Sequence, residues 1–328
     1  MLFEKKIIGL YKQKLFSRCD DMGLARYFTH KDFPGLEAEP FSFKEMVCGN
    51  TLRGNFYAYP DYREDKIVVF DHGMGGGHLS YMREIERLCR AGYRVYSYDH
   101  TGCMTSEGEN TGGFGRSVTD LLSCIEALDL KFDKKMPFSL IGHSWGAYSV
   151  MCCARGGAPI ESVVAISGFS SVRRMADQLF PGIMRGYANK VMEIEEKANQ
   201  LAAICDAADT LTFYKGQALI IHSADDKVVS ARKHFDYIKK TVEDYNDREL
   251  GYESYVRFML VDGKGHNPNY TEDAVKYLAH YVKTLNKRLK EGTLGTEKER
   301  EEFVASFDWM RMTEQDEAVW EEILTVLG

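Results

Sequence analysis

The sequence predicts an α/β protein: a mostly parallel central sheet flanked by helices, with a helical lid inserted between two of its strands. Two observations carry that expectation. Short apolar runs alternate with helical patterns along most of the 328 residues, and strand–helix alternation is what the crossovers of a parallel sheet require. The stretch Gly142-His143-Ser144-Trp145-Gly146 stands where one such run ends and a helix begins.

The runs read as buried strands are Lys66–Asp71, Arg94–Asp99, Phe138–His143, Ser162–Ser167, Ala218–Ser223 and Tyr255–Val261. Between them, Ser80–Ala91, Gly115–Leu128, Trp145–Gly156, Ser230–Val242 and Glu272–Leu289 have helical spacing. Phe41–Cys48 and Leu52–Tyr59 alternate and end in turn residues, so they predict an antiparallel start to the sheet. Residues 1–40 hold an amphipathic pattern (Leu2, Phe3, Ile7, Ile8, Leu10, Tyr11, Leu15, Phe16) with Lys5, Lys6, Lys12 and Lys14 between. An apolar stripe of this kind is expected to dock on its own domain, ahead of a membrane surface. The core is then 41–168 with 216–290. Residues 169–215 hold no strand pattern, contain Pro181-Gly182 and the helical run Tyr187–Ala203, and are expected to form a lid. Residues 291–328, past Gly292 and Gly295, are expected to be a docked helical appendage.

Composition narrows the function classes. Forty-two Lys+Arg against 49 Asp+Glu give a net charge of −7, which leaves no excess of cations to replace phosphate counterions and disfavours nucleic acid as a partner. No run approaches the ~20 apolar residues of a membrane-spanning helix. Eight cysteines without C-x-x-C spacing argue against zinc and against a disulfide scaffold, and read as reduced thiols in a cytoplasmic protein. Oligomeric state is left open.

The chemistry centres on Ser144. A serine hydroxyl is a poor nucleophile unless a base removes its proton and the backbone exposes its oxygen. Glycines two residues to either side permit the sharp strand-to-helix turn that does the exposing, and the helix N-terminus then faces the developing oxyanion. The dull alternative is a helix N-cap serine. Partners in the order Ser, acid, His favour the nucleophile. Ala218–Ser223 runs into Ala224-Asp225-Asp226-Lys227-Val228-Val229, and Tyr255–Val261 runs into Asp262-Gly263-Lys264-Gly265-His266-Asn267, each just past a strand's C-terminal end. His266 is the candidate base, either Asp225 or Asp226 the acid, and Trp145 N–H one oxyanion donor.

On Gly142–Gly146, together with His72-Gly73-Met74-Gly75-Gly76, the stretch Asp99–Gly108, Ala224–Val229 and Gly265-His266, the chain resembles the α/β-hydrolase superfamily over roughly Phe41 to Leu289. The likeness is closest to its esterase, lysophospholipase and serine-aminopeptidase-like branch. It departs from the family at Cys103-Met104-Thr105 and at Ser223, where relatives more often have glycine. The resemblance implies Asp226 as the acid, with Asp225 a turn former, and Met74 N–H as the second oxyanion donor. It implies no cofactor and no metal, and His72, His78 and His100 with Asp99 make no metal-binding pattern.

The expected reaction is hydrolysis of a small-molecule carboxylic ester or thioester through a Ser–His–Asp acyl-enzyme. Phe169, Met175, Leu179, Phe180, Ile183, Met184 and Tyr187 of the lid would receive an apolar acyl group. The alternative within enzymes is an aminopeptidase whose Glu193, Glu195 or Glu196 holds a substrate ammonium. From another class, the fold would be a catalytically idle binding protein.

Overall fold

Eight strands assemble into one sheet: β1 (Glu37–Lys44), β2 (Thr51–Ala58), β3 (Ile67–Asp71), β4 (Arg94–Tyr98), β5 (Phe138–His143), β6 (Ile160–Ile166), β7 (Gln217–Ser223) and β8 (Val256–Val261). Their order across it is β1-β2-β4-β3-β5-β6-β7-β8. β2 is antiparallel to both β1 and β4, and every other pairing is parallel. The computed structural model describes residues 2–248 and 255–328.

The helices are α1 (Leu2–Leu15), α2 (Met82–Arg90), α3 (Arg116–Lys131), α4 (Trp145–Cys152), α5 (Val172–Leu179), α6 (Arg185–Asn199), α7 (Ala207–Thr212), α8 (Phe235–Arg248), α9 (Glu272–Glu291), α10 (Glu297–Ala305), α11 (Trp309–Met312) and α12 (Glu317–Leu327). Among the described residues none is long and apolar enough to cross a membrane.

Alternation along each strand divides the core in two. Val69, Tyr96, Leu140, Val163 and Ile220 face one layer, with α3, α4, α8 and the inserted α5–α7. Val68, Val95, Ile141, Val164 and Leu219 face the other, with α2 and the C-terminal helices, where Trp320 and Ile323 of α12 are fully buried. Residues 291–328 thus cover sheet surface. α1 joins the first layer through Tyr11, Leu15 and Phe16. The side chains of Leu2, Phe3, Lys5, Lys6, Ile7 and Lys14 lie outside the described ones.

Several boundaries differ from the sequence expectation, for local reasons. β1 starts at Glu37 and runs through Pro40, because at a sheet edge proline's missing N–H costs no ladder bond. It stops at Lys44, where the Glu45 carboxylate accepts from the backbone N–H groups of Val47, Cys48 and Asn50 and closes a turn. The helix after β7 begins at Phe235, since residues 230–234 are spent on turns, and it reaches Arg248. The run Tyr187–Ala203 breaks at Gln200, whose φ of 50° ends α6 and starts a 3-10 turn.

Candidate active site

β5 lies in the middle of the sheet with all six residues buried, and it delivers Ser144 to the sheet's C-terminal edge. Ser144 has φ 56° and ψ −109°, a conformation costing about 1–3 kcal/mol for a residue with a side chain. Tight packing imposes it. A Cβ at Gly142 would lie 2.4 Å from the Gly146 backbone, and one at Gly146 2.1 Å from the Asp71 carbonyl oxygen. Ser144 N–H donates to the Ile166 carbonyl (2.8 Å), which fixes the turn against β6.

His266 Nε2 lies 2.9 Å from Ser144 Oγ, and its Nδ1 lies 2.7 Å from Asp226 Oδ2. With Nδ1–H donated to the carboxylate, Nε2 is left to accept the serine proton. Asp226 Oδ1 accepts from Val228 N–H (2.8 Å) and Val229 N–H (3.0 Å). Burial opposes its charge, but His222 and His266 more than offset this and hold the carboxyl well below the usual carboxylate range. Asp225 has other work. It accepts from Ser223 Oγ (2.6 Å) and from Gly265 N–H (3.1 Å), tying the acid loop to the histidine loop.

His143, inside the elbow, forms a second link to that loop. Its Nε2–H donates to the His266 carbonyl (2.8 Å), and its Nδ1 accepts from Tyr81 Oη–H (2.9 Å), which itself accepts from Gly73 N–H (3.1 Å). Burial, first, then the neighbouring His266 push the His143 imidazole down to about 3, so it stays neutral and keeps these roles. Backbone N–H groups of Met74 and Trp145 donate to no acceptor among the described residues, and both residues line the cavity beside Ser144. The histidines behind this edge have partners of their own: His72 accepts from His100 N–H, His78 faces Asp99, and His100 lies between Asp71 and Asp120.

The cavity at Ser144 and His266 has a volume of about 680 Å³. The inserted segment contributes Phe169, Met175, Leu179, Phe180 and Met184, whereas Ile183 is fully exposed and Tyr187 packs on Phe180. Among the described residues, no carboxylate or ammonium lines it. Glu195 is buried but accepts from Tyr11 Oη–H, Asn199 Nδ2–H and the N–H groups of Phe114 and Gly115. Glu193 pairs with Lys190, and Glu196 is exposed.

The sequence model of the serine aminopeptidase family (S33) matches residues 62–203, a span that includes Met74, Ser144 and Trp145 and ends before Asp226 and His266. No curated protein matches the chain in sequence. Among solved structures, the esterase Pf2001 of Pyrococcus furiosus is similar at 18% identity and a TM-score of 0.58, over 85% of this chain and 97% of that one. An acylaminoacyl peptidase of Pyrococcus horikoshii is similar at 17% identity and a TM-score of 0.54, over 72% of this chain and 38% of that longer one. The chain has the α/β-hydrolase fold.

Within this fold the structure brings Ser144, Asp226 and His266 into one hydrogen-bonded line. Sequence reasoning missed the pocket residues Leu10, Tyr11, Leu15 and Phe114 and the positioning pair Tyr81 and His143. The amphipathic stripe of α1 signalled docking without saying where. Nothing in a G-x-S-x-G pattern assigns a task to its second residue.

Proposed function

We propose that this protein is a serine hydrolase of the α/β-hydrolase superfamily, cleaving carboxylic esters or thioesters with an apolar acyl group. The observation that carries the reading is the apolar cavity opening directly on Ser144 and His266, with no fixed charge among the described residues of its lining. An acyl chain leaves water there at a gain of ~0.8 kcal/mol per methylene, whereas a free ammonium would lose its hydration with nothing to replace it. Glu195, with four donors already, offers a substrate amine little. Residues 169–215 act as the lid, and buried thiols such as Cys89, Cys124 and Cys153 suit the reducing cytoplasm.

Ser144 Oγ attacks the acyl carbonyl carbon as His266 Nε2 takes its proton. Asp226, ionised, stabilises the imidazolium. Met74 and Trp145 N–H groups receive the oxyanion. The imidazolium then protonates the departing alcohol or thiol. Water, deprotonated by His266, attacks the acyl-enzyme in turn and releases the acid.

A panel of p-nitrophenyl esters set against aminoacyl-naphthylamides, with fluorophosphonate labelling of Ser144, tests the reading. Labelling and faster ester turnover are expected. Faster turnover of the naphthylamides overturns the substrate class. A folded, monodisperse protein that neither labels nor turns over would be an idle binder.

A further inference from the structure

Helix α1 lies far outside the nucleophile motif in sequence, yet Leu10, Tyr11 and Leu15 line the cavity that holds Ser144 and His266. The phenol of Tyr11 is buried and donates to Glu195 Oε1 at 2.6 Å, joining α1 to α6. Its ring packs near Phe16 (6.1 Å) and Phe114 (6.5 Å). Where the segments cross, Gly113 is required, since a Cβ there would come 2.4 Å from Glu195 and 2.6 Å from the Phe16 ring. The chain leaving α1 is fastened independently. Thr111 Oγ1 donates to the Leu15 carbonyl, Thr111 N–H to that of Ser17, Cys19 N–H to that of Gly102, and Met104 N–H to that of Cys19.

Among the described residues, α1 contributes hydrocarbon and one phenol ring to the cavity, and the phenol oxygen is already engaged. Leu10 is 48% exposed, and Leu179 (43%) and Val228 (53%) of the same cavity are similarly open to solvent. The apolar lining therefore continues from Ser144 out to the surface. A short acyl group at the serine would leave that outer lining wet, and only a chain of many methylenes would cover it.

We propose that α1 is a wall of the acyl site, that Leu10 and Leu15 set the preference for long, linear acyl chains, and that the Tyr11–Glu195 hydrogen bond holds this wall in place. The proposal rests on the esterase reading for its kinetic arm and is independent of it for its binding arm.

The test compares wild type with L10A/L15A and with Leu15→Trp. Kinetics on p-nitrophenyl esters from acetate to palmitate are paired with the affinity for a fluorescent long-chain fatty acid. In L10A/L15A, kcat/KM on the longest esters should fall about 10- to 100-fold, with a much smaller loss on acetate, so that the ratio of long- to short-chain turnover drops. Leu15→Trp, which fills the wall, should move the optimum to shorter chains. Fatty-acid affinity should weaken in both variants. Unchanged profiles and affinities in folded variants overturn the proposal. So does a uniform loss on every ester, acetate included, which would make α1 a structural prop. If wild type hydrolyses no ester, the esterase reading fails, and the fatty-acid affinities alone decide the role of α1.

Discussion

The polar and apolar ends of this one cavity are held in different ways. At the polar end every loop is tied more than once. Asp226 is fixed by two backbone N–H groups, the histidine loop is held by Asp225 and by His143, and Ser144 is clamped between glycines that admit no side chain. At the apolar end, side chains from α1 and from α5 with its neighbours meet by packing, and the Tyr11–Glu195 bond is a buried polar tie from α1 to α6. Directional bonds position reacting atoms to a fraction of an ångström, which proton transfer needs. Packing tolerates repacking, which suits selecting among chains of different length.

The largest break in that contrast is Ser144→Ala. Turnover should fall on the order of 10⁴- to 10⁶-fold with the fold retained, as measured by kcat and circular dichroism. The aspartates come next. Asp226→Asn should lose on the order of 10⁴-fold in kcat, because His266 would adopt the wrong tautomer. Asp225→Asn, which loosens only the Gly265 tie, should cost about tenfold. A reversed ranking would make Asp225 the acid.

A smaller effect sharpens the positioning side. His143→Phe removes the donor to the His266 carbonyl, so kcat should drop about 10- to 100-fold with KM nearly constant. His143→Gln, which can still donate there and accept from Tyr81, should recover part of it. A His143→Phe variant with wild-type kcat would show that the polar end does not depend on this tie.

The mildest prediction concerns stability beneath Trp145, whose ring centroid lies 4.7 Å from that of His100. Burial disfavours the charged form of His100, but the Asp71 and Asp120 carboxylates outweigh it and raise the imidazole to about 10. A raised folded value stabilises fully below the free-histidine value of about 6.5 and no longer once the pH passes about 10. Urea midpoints should therefore fall across that window, and His100→Gln should flatten the fall. An unchanged slope in the variant would place the titrating group elsewhere.

Much of this was legible in the sequence because it is written locally. The six apolar runs of the parallel sheet announce themselves by composition, and Ser144 by its glycines. Asp226 and His266 stand just past strand ends, where side chains converge. What was not legible depends on three-dimensional docking. Glu195 looks, in sequence, like one of three helix-surface acids open to a substrate amine. Burial against Tyr11 and the Phe114 and Gly115 amides gives it a structural task instead. The apolar stripe of α1 fits many surfaces equally well. Its seat over Ser144 follows from the shape of the 111–115 segment and α6, which no pattern within α1 encodes.

Tyr11 and Glu195 are 184 residues apart in the chain, and this separation bears on the order of assembly. Contacts so distant in sequence carry a large loop-closure cost before they reward it. Segments held by few buried contacts are also the first to open in the native state. If α1 is the acyl wall, it should loosen on heating before the Ser144–His266–Asp226 line does, leaving a form that reacts with esters without selecting among them.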